Sequence, residues 1–415
     1  MDRNVRWLGF GAVVRATGVS LVLPFLILYL RNVLGIGYVE IGLLIALTGV
    51  IPLLVVPFAG VLVDRIGRRP VFLTSLAAEA ASFLGLAYFL EARSLLGVLA
   101  LATSVQIVGT IAAPAISAYV ADFTRGSERT MGFTWTRIGW NIGFTVGVFA
   151  GGVLLGLVGF VEVALYAGLV LLGSTTLLAL ALDASPYDRA RRSGASARAV
   201  EAAAATGRPS LRESARILVR DRPFLALCGA AALAQLTVAQ WNTIFPLYVN
   251  SVLGIPYAIL GAGLALNGLV VVFGQAPMTQ ASFGHRHTTL FVAGTAAYAV
   301  GFLVFGAVGQ FAFFLIPSFF VVVFVLTIGE NLTSIPSTTL PSNLAPPSDI
   351  GAYNGAFFAV SGIGTLLAPV LGGLAIAATA SPLGVWTILV APALPAAVFL
   401  ALFVTPRLAA EANRA

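Results

Sequence analysis

Charge is what this sequence has least of. Only 9% of its 415 residues are charged, against 59% hydrophobic, whereas a soluble globular domain carries about 25% charged residues. So few charges cannot clothe a water-facing surface, and lipid is the solvent that makes the composition sensible. Lysine is absent, and all 23 basic residues are arginine. The single cysteine, Cys228, excludes an internal disulfide. Histidine occurs twice, as His285 and His287 around Arg286, without the His/Cys spacing of a metal centre, and the pair reads as solvated loop residues. No cofactor is implied. The apolar stretches lack a Ser/His/Asp set, a His-rich cluster or a paired-acid motif, which argues against an enzyme working inside the bilayer.

What is present is a series of long apolar runs. A helix needs about 20 apolar residues to cross the hydrocarbon core. Twelve such runs are predicted at 7–30, 39–62, 70–91, 95–121, 131–156, 161–182, 224–249, 257–280, 288–308, 312–339, 351–378 and 383–404. The fold class is therefore an all-α polytopic membrane protein. The first run reads as a span rather than a cleavable leader, since no small-residue cleavage pattern follows it. Connections are short except for 183–223, rich in Ala, Ser and Arg. That segment divides the chain into an N-terminal six-helix bundle (1–183), a linker (184–223) and a C-terminal six-helix bundle (224–415). Within the linker, Ser210 to Phe224 (SLRESARILVRDRPF) reads as an amphipathic helix on the membrane surface.

Arginine placement sets the orientation. Nineteen arginines fall on one side, only Arg31 and Arg93 on the other, and Arg15 and Arg137 lie inside spans. This predicts cytoplasmic termini and a cytoplasmic central loop in a plasma-membrane protein. It accounts for the net charge of +7 through anionic lipid, without nucleic acid.

The two halves are related. Leu28 to Gly42 (LYLRNVLGIGYVEIG) and Leu247 to Gly261 (LYVNSVLGIPYAILG) share eight of fifteen positions. Gly151-Gly152 recurs as Gly372-Gly373, and Gly67-Arg68-Arg69 has an echo in Gly284-His285-Arg286. Parallel repeats of six spans imply two bundles about an axis along the membrane normal, with the site between them.

The sharpest motif is Gly60-x-x-x-Asp64-Arg65-x-Gly67-Arg68-Arg69, between the second and third runs. Here the sequence resembles the major facilitator superfamily at every signature position. The motif reads as a gate latch. Asp64 suits a helix N-terminus, and Arg68 or Arg69 would pair with an acid on a neighbouring helix, Asp122 being the choice. Gly139, Gly143, Gly147 and Gly151 form a stripe at four-residue intervals, matched by Gly364, Ala368 and Gly372 in the eleventh run, so two backbones can approach closely in lipid. These stripes, with Arg137-x-x-x-Asn141-x-Gly143, Gly329-Glu330 and Asn267-Gly268 to Gln275, resemble the drug:proton antiporter branch. Val148 and Ala368 depart from its glycine-proline pattern.

Ionisable groups inside spans are costly and point to function. They are Arg15, Glu79, Arg137 and Glu330. At about 1.5 Å per residue, Arg15, Arg137 and Glu330 share a depth of roughly 9–14 Å from the cytoplasmic helix ends. The resemblance implies that they face a central cavity, two arginines meeting one glutamate. Glu330 would then either neutralise the arginines or exchange a proton. Glu79 would lie in a peripheral helix, with a packing or interface role. Gln106, Trp140, Asn141, Gln240, Trp241, Asn267 and Gln275 complete a candidate substrate surface.

The function implied is alternating-access transport of a small molecule, with proton-coupled efflux of drug-like compounds favoured by the branch resemblance. Excess positive charge in the cavity points instead to an organic anion or metabolite, moved by uptake or uniport on the same fold. A transport-inactive sensor or scaffold on the same fold is the third alternative. No partner is needed to close the fold, so a monomer in the lipid bilayer is expected.

Overall fold

The computed structural model describes residues 2–125, 127–192, 221–309, 311–346, 349–408 and 413. Twelve of its helices are long and apolar enough to cross a membrane. The first six are α1 (Arg3–Asn32), α2 (Tyr38–Ile66), α3 (Arg68–Glu91), α4 (Leu95–Phe123), α5 (Ser127–Leu157) and α6 (Phe160–Ala181). A short α7 (Pro186–Arg192) follows. The seventh span, Arg222–Val252, is broken. It runs as α8 (Arg222–Val238), a 3₁₀ turn, α9 (Ile244–Leu247) and a π turn. Then come α10 (Tyr257–Ser282), α11 (His287–Val308), α12 (Leu315–Leu344) and α13 (Ile350–Ala378). The last span, Pro382–Arg407, contains α14 (Pro382–Val390) and α15 (Ala393–Phe399). Each predicted run lies on one of these spans, with ends differing by a few residues, because polar first and last turns extend helices beyond the apolar core. Of the predicted amphipathic helix, residues 210–220 lie outside the described residues; Asp221 caps α8 by accepting from Phe224 N at 3.0 Å.

By backbone proximity the chain gathers into two compact units. One comprises Met1–Gly35, Leu47–Arg208 and Pro256–Gly268; the other comprises Ile36–Ala46, Pro209–Ile255 and Leu269–Ala415. In the first, α1 and α5 pack closely because α5 shows glycine to α1. A Cβ at Gly139, Gly143, Gly147 or Gly151 would strike the carbonyl oxygens of Gly9, Val13, Thr17 and Leu21 in turn. The four-residue steps match on both helices, so one stripe forms a continuous contact. Thr17 Oγ1 donates across it to the Gly143 carbonyl at 3.2 Å.

The second unit is built around aromatic rings. Phe245 lies 5.2–5.9 Å, centroid to centroid, from Phe302, Phe305, Phe319 and Trp386. The break in the seventh span frees backbone groups that lipid cannot satisfy. Gln240 sits at the break, its Nε2 donating to the Leu236 carbonyl in the same span and to the Ala368 carbonyl on α13, at 2.8 Å each. The glycine device recurs here, Gly364 meeting the Ala232 carbonyl and Gly372 meeting Ile244 and Gln240.

Candidate functional site

The first unit holds a cavity of about 630 Å³, largely apolar, whose wall includes Arg15, Gln106, Thr110, Thr136, Arg137 and Trp140. Arg15 projects from α1 and is 7% exposed. Its partner is Glu79 on α3, itself 1% exposed. Arg15 Nε donates to Glu79 Oε2 at 2.7 Å, and Nη2 donates to Oε1 at 2.5 Å. Such a two-pronged, charge-assisted pair is the arrangement that lets both ions exist away from water. Gly109 lies against the pair, a Cβ there being in ordinary contact with Arg15 Nη2 at 3.4 Å. The guanidinium also sits 5.3 Å from the Trp140 ring centroid.

This corrects the expected trio. Arg15 is answered within its own bundle, by the glutamate expected to serve packing or an interface. The reason is proximity: α1 and α3 bring the two groups into bidentate range, and a buried ion takes the nearest counter-ion. Arg137, on α5, is exposed and makes no ion pair among the described residues. Its charge is therefore available to the cavity. Glu330 is half-buried on α12, beside Gly329, whose missing side chain lets the Tyr298 ring approach.

The candidate substrate residues divide. Gln106 and Trp140 share the cavity with the two arginines. Trp140 is 37% exposed, so its ring presents a face. Asn141 and Gln275 are half-buried, and Asn267 is buried, apart from that cavity's lining. Gln240 and Trp241 are corrected: both are core residues of the second unit, one bonded to the Ala368 carbonyl at the break and the other packed 5.3 Å from the Phe245 ring. A polar side chain in an apolar run marks a backbone defect as readily as a ligand.

The signature loop folds as a charge-lined turn. Gly67 takes φ +111°, a conformation that favours glycine, and α3 starts from it. Arg68 reaches Asp122 at the end of α4, Nε to Oδ2 3.0 Å. The two atoms are not aligned as a hydrogen bond, so this is a charge contact. Arg69 serves a different end, donating to the carbonyls of Leu182 and Ala179 at 3.0 and 2.6 Å and so closing the end of α6. Asp64 and Arg65 are exposed in the last turn of α2, and a Cβ on Gly60 would meet open space.

Asp64 therefore does not sit at the helix N-terminus expected of it; Asp188, on α7, does. Asp188 is 4% exposed and accepts from the backbone N–H of Arg68 at 2.8 Å and Arg69 at 3.1 Å. Tyr187 donates to the Asp64 carbonyl at 2.8 Å, and the Arg68 guanidinium lies 3.5 Å from its ring centroid. Sequence reasoning missed this residue by assigning 184 onward to a linker. The signal was legible: Ser185-Pro186-x-Asp188 is a capping box with proline at the first helical position. Ser185 Oγ accepts from Asp188 N at 3.1 Å, and Asp188 Oδ2 accepts from Ser185 N at 3.3 Å. His287 is a second correction. It is buried at the start of α11, with its ring 3.3 Å from Thr339 Oγ1, not solvated in a loop.

Twelve spans, a glycine-zippered bundle and a cavity with a charged wall define a polytopic transporter fold. Residues 8–316 match the family model for the Major Facilitator Superfamily, and the chain belongs to that superfamily. Among its relatives is the MFS-type transporter YqjV of Bacillus subtilis (strain 168), 25% identical over 88% of this chain and 84% of that one. The class B tetracycline resistance protein of Escherichia coli is 33% identical over 33% of this chain and 34% of its own. Solved structures agree on the fold. A POT family transporter in complex with 5-aminolevulinic acid superposes with a TM-score of 0.74 at 15% identity, covering 97% of this chain and 96% of that one. The nucleoside transporter NupG gives 0.72 at 14% identity, covering 97% and 99%.

Proposed function

We propose that this transporter exports amphipathic, drug-like compounds across the plasma membrane in exchange for protons, with both termini in the cytoplasm. The observation that carries the reading is the cavity wall, where an apolar surface, an aromatic face and an unpaired arginine lie against a buried carboxylate–arginine pair. Apolar area binds the body of such a compound, and a few placed polar groups orient it. The buried pair supplies a coupling element. Glu330 is a second coupling candidate in the other unit. Distant similarity to the tetracycline resistance protein, over a third of the chain, supports a drug-like cargo.

A second reading keeps the mechanism and narrows the cargo to organic anions. It is favoured by Arg137, whose charge the described residues leave unpaired while Glu79 neutralises Arg15. The two readings part in proteoliposomes carrying a pH gradient, with protein-free vesicles as control. Antiport accumulates ethidium or fluorescein on the acid side; symport accumulates it on the alkaline side. Fluorescein moved and ethidium ignored would select the anion reading. Flux unchanged after the gradient is collapsed would end the proton-coupling proposal.

A further inference from the structure

Neither α3 nor α11 caps itself. The residue preceding each, Gly67 and Arg286, makes no side-chain cap bond. Each lies just before the third span of its half. The leading amides of both helices are nevertheless filled, in each case by a residue arriving from beyond the last span of the same half. In the first, Asp188 takes the N–H groups of Arg68 and Arg69. In the second, Asn413 takes those of His287, through its backbone carbonyl at 2.8 Å, and Thr288, through Oδ1 at 3.0 Å. Asn413 Nδ2 also donates to Thr288 Oγ1 at 3.0 Å, and the residue is 3% exposed. A first-turn amide pair left empty against protein would be costly, and a carboxylate there also meets the positive end of the helix dipole.

We propose that a residue from beyond the last span of each half caps its third span, Asp188 in the first and Asn413 in the second, and that Asp188 is a positioning residue of the gate. Asp188 fixes the start of α3. The start of α3 carries Arg68, and Arg68 faces Asp122. Tyr187, next in the same turn, holds the other side of the loop by stacking on Arg68 and bonding the Asp64 carbonyl. Gly67 is part of the same fit, since a Cβ there would lie 2.5 Å from Asp188 Oδ1. The second-half cap is neutral and adjoins no such ion pair among the described residues; it fastens a helix end only. The gate role rests on the latch reading of the signature loop. The two caps do not.

The test uses full-length protein in nanodiscs, with Asp188→Ala, Asp188→Asn, Asn413→Ala and, as control, Asp183→Asn. Backbone hydrogen exchange reads the caps. Asp188→Ala is expected to speed exchange at amides 68 and 69 at least tenfold while leaving 287 and 288 unchanged; Asn413→Ala, which removes Oδ1 but keeps the backbone carbonyl, should speed amide 288 and leave 68 and 69 unchanged. Asp188→Asn, which keeps an acceptor, should fall between. Unchanged exchange at 68 and 69 in Asp188→Ala overturns the cap. The gate is read without any cargo, by the maleimide labelling rate of a cysteine at Thr110 in a Cys228→Ala background. Asp188→Ala should shift that rate at least threefold and Asn413→Ala should not. Equal rates in both overturn the positioning role and leave Asp188 a structural cap. If wild-type protein moved no probe in vesicles, the transport proposal would fall, while exchange and labelling would still decide this one.

Discussion

The two bundles share a backbone plan and differ in what holds them. The first carries the three ion pairs found among the described residues: Arg3–Asp183, Arg15–Glu79 and Arg68–Asp122. The second is centred on rings, Phe245 among Phe302, Phe305, Phe319 and Trp386. The third-span starts are capped by a carboxylate in one half and an amide in the other. The two halves fill the same kind of place with different chemistry. Charge inside a bilayer is expensive unless it is paired or used, and of the four charges inside spans, Arg15, Glu79 and Arg137 belong to the first bundle.

The largest effects should come from each bundle's central group. Glu79→Leu strands a buried arginine and should cost about 3–5 kcal/mol of unfolding free energy. Phe245→Ala should cost about as much, 3–5 kcal/mol, by opening a cavity. The two differ in rescue. Adding Arg15→Met to Glu79→Leu should restore most of the stability while abolishing response to a pH gradient, whereas no single partner change rescues Phe245→Ala. Thermal unfolding of the four proteins checks this, and failure of the double variant to recover would break the contrast.

Helix contact comes next. Gly143→Val pushes a side chain onto the Val13 carbonyl and Ala16, and Gly364→Val onto the Ala232 carbonyl. Each is expected to cost about 1–3 kcal/mol by overpacking. Similar losses in both, read as shifts in midpoint, would show that the glycine stripe is common to the two bundles.

Arg137→Gln should leave stability within about 0.5 kcal/mol, because it removes an exposed charge with no partner among the described residues. The smallest change belongs to Asp183. Hydrogen bonds from Arg3 and then Asn4 hold its carboxyl below the usual 3.8. A depressed folded value means stabilisation that is present above pH 3.8 and is lost as pH falls through the lowered value. Asp183→Asn should therefore lower the midpoint slightly at pH 6 and converge with wild type in strong acid. Divergence on acidification would reverse the sign and contradict the pairing.

Much of this was legible in the sequence. Spans follow from the apolar runs, and the glycine stripe and the Arg68–Asp122 pair follow from spacing plus the loop motif. Two kinds of residue were not legible. Glu79 was visible as an intramembrane acid, but helix periodicity carries no information on which neighbouring helix supplies its counter-ion. Gln240 and Trp241 looked like a polar–aromatic site because a broken helix and a binding wall use the same residues. Asp188 had a readable capping box, and its surroundings hid it: a basic, Ala/Ser-rich stretch reads as linker, and only packing brings α7 back onto α3.

The most direct measurement is the initial rate of acid-side accumulation of fluorescein in proteoliposomes bearing equal amounts of folded wild-type protein and Arg137→Gln. A gradient-dependent rate in wild type, reduced at least tenfold in Arg137→Gln with the midpoint of unfolding unchanged, is the expected result. Equal rates in the two proteins, or accumulation that ignores the gradient, would contradict the placing of cargo and coupling in the first bundle.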